Sequence, residues 1–459
     1  MRPRKIILRS LLLILVVIIV GGVWYAWRAF PLISGFGAKN VCSAVFLQHR
    51  DPKAVIEEEL SMFPLSLGSF TVNEEDSSVT GSVWGFARRK AIYRHGLGST
   101  IVNDVPEDVL RKQRFVLPTP VTSNRDSIPW PSGDMLSDTF PSSIDKQGID
   151  RILGEALNDT FDGKPVHTRA LVVLYDGQLI SEKYAPGYDK NTVMLGWSVS
   201  KSLIGALIGI LVKEGKLDIN MPAPVPEWKG TNKESITVRH LLQQTTGLDF
   251  AEVYSSPSEV TRMLFNKGDM AAYTAKRPLK HDPGTMFNYT SGNSNILSRI
   301  IRHTVGEREY ASYPYTALFR RIGMNTALLE PDASGTYIGS SYSYASARDF
   351  ARFGLLYYNE GKWNGEQVLP EKWVKESIEP VDAAPRKNYG YQFWLNGKSK
   401  TDSTQRWLPD VPADMFFADG FGGQDIYIIP SKKLVVVRLG LRVIDENGLL
   451  RAIIEKVRD

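Results

Sequence analysis

Cysteine and histidine are scarce in this chain of 459 residues, and their scarcity excludes several kinds of site. The single cysteine, Cys42, cannot form an internal disulfide, a Cys-x-x-Cys redox pair or a zinc cluster. The six histidines are scattered, and none has the spacing of a metal-binding helix such as His-Glu-x-x-His. We therefore expect no metal ion and no other cofactor.

A strong charge of one sign is also lacking. The formal net charge is +5, and several of the basic residues stand at the N-terminus. No cluster of Lys and Arg interleaved with aromatic residues appears, so we expect no nucleic-acid partner. The contents of 43% hydrophobic and 23% charged residues are typical of a folded globular protein.

One long apolar run stands near the N-terminus. It is Ser10–Trp27, eighteen residues without a charge, and it follows Arg2, Arg4, Lys5 and Arg9. As a helix the run would span about 27 Å, close to the roughly 30 Å of a bilayer core. The preceding cations predict that everything after residue 30 lies outside the cytoplasm. A cleaved signal peptide needs small residues where Trp24 and Trp27 stand, so we expect an uncleaved, single-pass signal anchor in the cell membrane.

The rest of the chain divides into two regions by composition. Residues 31–140 contain a hairpin pattern over Ser69–Trp84 and end in a Pro-rich stretch that indicates an extended connector. We therefore predict an anchor at residues 1–30, an accessory region at 31–140 and the main domain at 141–459.

The two ends of the main domain predict strands, and its middle predicts helices. Ala170–Tyr184 has two strand patterns around an Asp-Gly turn, and Ile426–Ile429 and Leu434–Leu439 form a similar pair. Strands at both ends of the domain imply that the two ends pair in one antiparallel sheet. Helices would flank this sheet, and an all-helical subdomain would be inserted between its strands in the sequence. The expected fold class is α/β, in the α+β arrangement.

Ser198-Val-Ser-Lys201 precedes an almost wholly apolar run and has the spacing of a nucleophilic site. Residues three apart share one helical face, so the lysine amine comes within hydrogen-bond reach of the serine hydroxyl. The spacing alone is weak, because Ser143-Ile-Asp-Lys146 repeats it. The alternative interpretation is a serine that caps a helix beside an unrelated lysine.

Two further stretches accompany this motif in a recognisable order: Phe287-Asn-Tyr289-Thr-Ser291 and Ala418-Asp-Gly420-Phe-Gly-Gly423-Gln. Together the three resemble the serine β-lactamase and penicillin-binding protein superfamily. The nearer resemblance is to its β-lactamase-related branch, with class C enzymes, esterases and nylon-oligomer (6-aminohexanoate-dimer) hydrolases. Three other stretches look like that branch: Glu214–Asp218, Ile236–Leu248 and Ala347–Gly354.

The resemblance implies a role for each residue of these motifs. Ser198 would form an acyl-enzyme, with Lys201 and Tyr289 as its acid–base partners. The backbone N–H groups of Ser198 and Phe421 would form the oxyanion hole. The implied substrate-binding residues are Ser291, Gly420, Gly422 and Tyr254.

Two departures from the family pattern bear on the substrate. Ser291 stands where class C enzymes have an asparagine, and Ala418-Asp419-Gly420 replaces Lys-Thr-Gly or His-x-Gly. The cation that holds a β-lactam carboxylate is therefore missing, and Asp419 would repel that carboxylate if it faced the site. We expect a small ester, amide or peptide-like substrate.

Two alternatives stay open at this point, and the sequence does not give the oligomeric state. Gly196-Trp-Ser198-Val-Ser200 nearly matches the Gly-x-Ser-x-Gly elbow of α/β-hydrolases, but no histidine follows His303 to complete such a triad. The second alternative is a penicillin-binding or β-lactam-sensing protein of the same fold without efficient turnover.

Overall fold

The computed structural model describes residues 3–119, 121, 124–161 and 163–458. The helices are α1 (Pro3–Phe46), α2 (Pro52–Glu59), α3 (Glu107–Lys112), α4 (Lys146–Ala156), α5 (Val199–Lys213), α6 (Val238–Leu242), α7 (Glu259–Asn266), α8 (Met270–Ala275), α9 (Ser291–Val305), α10 (Glu307–Tyr310), α11 (Ala347–Tyr358), α12 (Glu371–Ser377) and α13 (Glu446–Ile454).

The strands of the described residues are β1 (Gly68–Asn73), β2 (Ser78–Val83), β3 (Phe86–Arg94), β4 (Gly98–Val102), β5 (Thr160–Phe161), β6 (Lys164–Pro165), β7 (Ala170–Tyr175), β8 (Gln178–Tyr184), β9 (Met194–Leu195), β10 (Leu328–Leu329), β11 (Ser343–Ala345), β12 (Lys362–Trp363), β13 (Glu366–Gln367), β14 (Trp394–Leu395), β15 (Phe416–Gly420), β16 (Gln424–Ile429) and β17 (Leu434–Leu439).

The chain forms two compact units. The first contains Met1–Lys112 and Ala251–Gly268, and the second contains Gln113–Phe250 and Asp269–Asp459. The predicted division at residues 30 and 140 stays a prediction. The unit boundary lies at residue 112, and an eighteen-residue insertion of the later sequence belongs to the first unit.

The first unit pairs one long helix with the antiparallel sheet β1-β2-β3-β4. The predicted hairpin is confirmed, because β1 pairs with β2 from Gly68↔Val83 to Asn73↔Ser78. Helix α1 packs closely on this sheet at Gly81, where an added Cβ would lie 2.3 Å from the carbonyl oxygen of Ser34. Glycine is therefore required at this crossing by space rather than by backbone angle.

Helix α1 has two halves with opposite surroundings. Ser10–Trp27 is almost wholly exposed, with Trp27 at 82% exposure, whereas most residues from Leu32 to Ala44 are buried in the first unit. The segment Arg9–Phe46 is long and apolar enough to cross a membrane, with a mean hydropathy of 2.4 over its most apolar window. A signal sequence would share that length and composition.

The inserted segment Ala251–Gly268 packs on α1 through α7. The ring of Phe265 meets that of Phe36 edge-on at 5.3 Å, and the backbone N–H of Gly268 donates to Asp104. The insertion is thus part of the core of the first unit.

The second unit is built on an antiparallel sheet with the strand order β14-β15-β16-β17-β7-β8. The Asp-Gly hairpin is confirmed as β7–β8, with positive φ at both Asp176 (49°) and Gly177 (81°), as a type I′ turn requires. The hairpin of β16 and β17 is also confirmed, and β17 pairs with β7, so strands from both ends complete the sheet. The predicted fold class is confirmed.

Alternation along the strands divides the side chains between two faces of this sheet. One face packs against the core that contains α5 and α11, and the other packs against α4 and α13. Along β15, Phe416 and Ala418 belong to the first core and Phe417 to the second. The sheet and α5 together position the site.

The Pro-rich connector is fixed on the second unit by buried arginines of α11. The Arg352 guanidinium donates to the Pro131 carbonyl oxygen at 2.8 Å and to Asp134 at 2.6 Å, and it stacks over the Trp130 ring at 4.4 Å. The neighbouring Arg348 forms an ion pair with Asp134 at 3.6 Å. A segment held by several charge-assisted contacts is a structural part of this unit.

Candidate active site

Ser198 lies at the N-terminus of α5, directly after a tight turn. The chain leaves β9, and Trp197 takes a left-handed backbone conformation (φ 46°) before the helix begins. Such an angle costs a bulky residue about 1–3 kcal/mol, and it recurs at functional sites. Within the described residues, the Ser198 hydroxyl makes no helix-capping hydrogen bond.

The Ser198 hydroxyl instead accepts a hydrogen bond from Lys201, one turn along the helix. The distance from Lys201 Nζ to Ser198 Oγ is 2.9 Å. The amine also donates to Ser291 Oγ at 3.2 Å and to the carbonyl oxygen of Ser340 at 2.9 Å. Lys201 is only 1% exposed, and an ammonium has three N–H donors, so these acceptors match its capacity.

Tyr289 and Ser291 are brought to the same amine by the start of α9. The Tyr289 ring lies 4.9 Å from Lys201 Nζ and packs against Trp394 at 5.1 Å. Ser291 is fully buried. Gln244 fixes this segment, because its side-chain oxygen accepts the backbone N–H of Thr290 at 3.1 Å. Two of the predicted motifs therefore meet at Lys201.

The third motif reaches α5 through Gly420. An added Cβ at Gly420 would lie 2.2 Å from the carbonyl oxygen of Gly196, so only glycine lets β15 come this close. The ring of Phe421, which is 66% exposed, meets the Trp197 ring edge-on at 5.8 Å. Among the described residues, the backbone N–H groups of Ser198 and Phe421 have no acceptor.

The turn after Gly420 is held by Arg438, which the sequence reasoning missed, and by Gln424, the last residue of the third motif, to which it assigned no role. Arg438 donates to the carbonyl oxygens of Gly422 and Gly423 at 2.9 and 2.8 Å. Gln424 donates to the carbonyl oxygen of Phe421 at 3.2 Å. Gly422 and Gly423 have φ of 80° and 78°, which favours glycine. The signal that could have revealed Arg438 is its charge, because the rest of the strand Leu434–Leu439 is apolar.

Asp419 lies on the opposite face of the sheet from the Ser198 side. It is opposite Asp425 on β16, and Asp425 is opposite Arg438 on β17, so the three form a row toward α13. Burial raises the pKa of both carboxyls. The nearby Glu446 and Asp419 add to the rise at Asp425, and the charge of Lys201 opposes it at Asp419. Asp419 therefore does not face the Ser198 side of the sheet, which was the condition under which it would repel a substrate carboxylate.

Tyr254 lies in the segment that belongs to the first unit. It is half-exposed, and its hydroxyl donates to Glu252 at 2.8 Å. Its role at the substrate stays a prediction. Among the described residues, no group of His, Cys, Asp or Glu is arranged to hold a metal ion.

Known proteins are similar to this chain in both sequence and fold. The family described as Beta-lactamase matches residues 158–443. The 6-aminohexanoate-dimer hydrolase of Paenarthrobacter ureafaciens is 26% identical over 296 residues, which cover 59% of this chain and 72% of that protein.

Two solved structures show the same fold. A penicillin-binding protein homologue from Caulobacter crescentus has 14% identity and a TM-score of 0.53, covering 69% of this chain and 97% of the other. EstCE1, described as a hydrolase with promiscuous acyltransferase activity, has 14% identity and a TM-score of 0.55, covering 68% and 99%. This chain belongs to the Beta-lactamase family and is a hydrolase-class member of the serine β-lactamase and penicillin-binding protein superfamily.

Proposed function

We propose that this chain is a membrane-anchored serine hydrolase that cleaves an ester or amide bond through an acyl-enzyme on Ser198. The observation that carries the proposal is the 2.9 Å contact between Lys201 Nζ and a Ser198 hydroxyl that caps no helix. A nucleophile and its base in hydrogen-bond contact, with the base oriented by further groups, is the arrangement that acyl transfer requires.

The proposed reaction starts with attack of Ser198 Oγ on the substrate carbonyl carbon. In the reacting form the pair of Lys201 and Tyr289 carries one proton fewer than an ammonium and a phenol together, so it can take up the hydroxyl proton and then return it to the leaving alcohol or amine. Water then attacks the acyl-enzyme and restores Ser198. Because Ser291 and the Ser340 carbonyl hold Lys201 from two further directions, the amine keeps its position when the hydroxyl becomes acylated.

The oxyanion of the tetrahedral intermediate would be bound by the backbone N–H groups of Ser198 and Phe421. Both are without a protein acceptor among the described residues, as donors reserved for a ligand should be. Removing one such donor from other enzymes costs about 3–4 kcal/mol of transition-state stabilisation.

The substrate is proposed to be a small, uncharged or linear ester or amide. Ala418 stands where the family pattern has a cation, so a substrate carboxylate would lack its usual partner there. The relative from Paenarthrobacter ureafaciens is named for hydrolysis of the 6-aminohexanoate dimer, which favours amides among the candidates.

The anchor is proposed to be Ser10–Trp27, with the basic residues before it in the cytoplasm and everything after residue 30 on the outer side of the cell membrane. The exposed apolar half of α1 supports this, because the helix runs on without a break into the buried half. Alkaline carbonate should leave the full-length protein in the membrane pellet. A mature protein that begins after residue 26 would contradict the anchor but not the hydrolase.

The catalytic proposal is tested by labelling the folded protein with a fluorophosphonate probe and mapping the adduct by mass spectrometry. We expect the adduct on Ser198 and its loss in Ser198→Ala. Activity toward short p-nitrophenyl esters and linear amides should exceed activity toward nitrocefin. Labelling at another residue would refute the nucleophile. A stable, slowly released penicillin adduct on Ser198 would instead favour a penicillin-binding or sensing protein.

A further inference from the structure

Four large apolar side chains of the first unit are exposed at one end of its sheet. They lie in two turns and are, with their exposure, Met62 at 59%, Phe63 at 79%, Trp84 at 67% and Phe86 at 70%. We call these four residues the aromatic collar. The pairing of Gly68 with Val83 brings their two turns to the same end of the sheet, because residues 62–63 precede β1 and residues 84–86 follow β2.

The collar lies beside the exit of the apolar half of α1. The ring of Trp84 meets the ring of Phe30 edge-on at 5.3 Å. Phe30 comes one helical turn after Trp27, so about 4.5 Å separates the two residues along the helix axis. The polar interface of a bilayer is roughly 5–8 Å deep on each side of the hydrocarbon core, which places Trp84 at that depth.

From the collar end, the sheet extends along α1 toward the C-terminal end of that helix. At the far part of β3, the carbonyl oxygen of Ala91 contacts Cys42, and the Tyr93 ring stacks on Phe46 at 5.8 Å. The turn at the far end is acidic, with Glu74 and Glu75 exposed. The collar end has positive charge from Arg88 and Arg89 instead. One end of the sheet is thus aromatic and basic, and the other is acidic.

The turn that presents Trp84 is costly for a residue of its size. Trp84 and Gly85 have φ of 52° and 81°, which is a type I′ turn between paired Val83 and Phe86. This turn favours asparagine followed by glycine, and a bulky residue with positive φ is strained. The Trp84 ring packs on Phe30 within the protein, yet 67% of the residue stays exposed, so a strained tryptophan at this tip points to a further contact outside the protein.

We propose that the aromatic collar binds phospholipid in the interfacial zone of the outer leaflet, around the base of the anchor helix. Tryptophan is enriched at this depth because its ring is apolar and its N–H remains hydrogen-bonded. Arg88 is exposed and Arg89 partly exposed near this end, and cations close to a bilayer surface are attracted to anionic headgroups over about a Debye length. The inference rests on the proposed anchor, and it adds a second membrane contact made by the sheet.

The test uses full-length protein in nanodiscs of phosphatidylethanolamine and phosphatidylglycerol. Cys42→Ala variants receive one new cysteine at Trp84, Phe86, Trp27 or Glu75, and each carries a nitroxide label. Collision rates are measured with oxygen, which concentrates in lipid, and with a nickel chelate, which stays in water. Because Cys42 is fully buried, the wild-type background serves if the alanine variant does not fold.

We expect the labels at positions 84 and 86 to favour oxygen over the nickel chelate, as the label at position 27 should. The label at position 75, at the acidic end, should show the reverse order. Lipid exposure at 27 with water exposure at 84 and 86 would overturn the collar and leave the anchor intact. Water exposure at 27 would overturn both. Spin–spin broadening at 84 would identify a second copy as the occupant and also overturn the lipid contact.

Discussion

Two Ser-x-x-Lys sequences in this chain have identical spacing and different surroundings. At the first, Ser143 lies outside the helix and contacts the Tyr175 hydroxyl at 3.0 Å. Its partner Lys146 forms an i,i+4 ion pair with Asp150 at 2.6 Å, with about a third of its side chain exposed. At the second, Lys201 is buried and donates directly to Ser198.

The difference shows that the spacing only allows the lysine amine to reach the serine hydroxyl. The surrounding residues decide whether the two form a site. Asp150 neutralises Lys146 and draws it along the helix, whereas Lys201 donates to two serine hydroxyls and a carbonyl oxygen. Ser198 also starts α5, so the partial positive charge of the helix N-terminus acts on it. The first two of the following predictions test this contrast and the rest test the support around the second site, from the largest expected effect to the smallest.

Ser198→Ala should lower kcat by about 10⁴-fold or more, because covalent catalysis is lost and only substrate binding and the oxyanion donors remain. Ser143→Ala is the matched control and should leave kcat within about twofold. Both are measured with a short p-nitrophenyl ester. Equal losses in the two variants would remove the contrast and the assignment of the nucleophile.

Lys201→Ala should cost about 10²–10⁴-fold in kcat, the usual range for a general acid–base group. Lys146→Ala should cost less than about 0.5 kcal/mol of stability and no activity, because exposed ion pairs contribute little.

Tyr289→Phe should lower kcat by an amount in the same range as Lys201→Ala. If Lys201 and Tyr289 act as one unit, the double variant will lose little more than the worse single one, whereas fully additive losses would separate their roles.

Arg438→Lys tests whether the oxyanion turn needs its support. Arg438 Nη1 donates to the carbonyl oxygens of Gly422 and Gly423 while Nε and Nη2 donate to the Thr168 hydroxyl, and a single lysine amine cannot replace both sets of contacts. The N–H of Phe421 should lose its fixed position, so kcat should fall about tenfold, part of the cost of losing one oxyanion donor, with little change in KM. A rise in KM at constant kcat would assign Arg438 to substrate binding instead.

Asp425→Asn should stabilise the fold, and the gain should grow with pH. The folded-state pKa of this carboxyl is raised by burial and by Glu446 and Asp419, so the folded protein binds the proton more tightly than the unfolded chain. Wild-type stability therefore falls as pH rises above about 4, by up to 1.36 kcal/mol for each pH unit, until the folded carboxyl ionises. Urea unfolding at pH 4 and pH 8 checks this, and a gain that shrinks with pH would reverse the sign.

The sequence was sufficient for three hairpins and for the fold class. The alternation of Ala170–Tyr184 and Leu434–Leu439, with their turn residues, predicted hairpins that the structure confirms. Local patterns extend only a few residues, so they could not show that Ser291 meets Lys201 from ninety positions away. The resemblance to a family supplied only the expectation that the motifs containing Ser291 and Lys201 share one site.

Other features depend on packing that no local pattern records. The insertion Ala251–Gly268 joins the first unit because Phe265 packs on Phe36, which a helical pattern in α7 does not reveal. The orientation of Asp419 follows from strand register, since the opposite parity would have turned the carboxyl toward Ser198. Arg438 is visible in the sequence, but its partners are carbonyl oxygens without a sequence signature.

Helix α1 continues through Pro31, which removes one backbone hydrogen bond at the junction of its two halves, and this continuity restricts how the first unit can move. A helix of 44 residues is about 66 Å long, and its buried half is fixed in the first unit. With its other half in a bilayer as proposed, α1 connects the first unit to the membrane through a helix rather than through a flexible linker. The height and heading of the first unit above the lipid are then fixed, so it samples a thin layer parallel to the surface instead of a hemisphere around a linker.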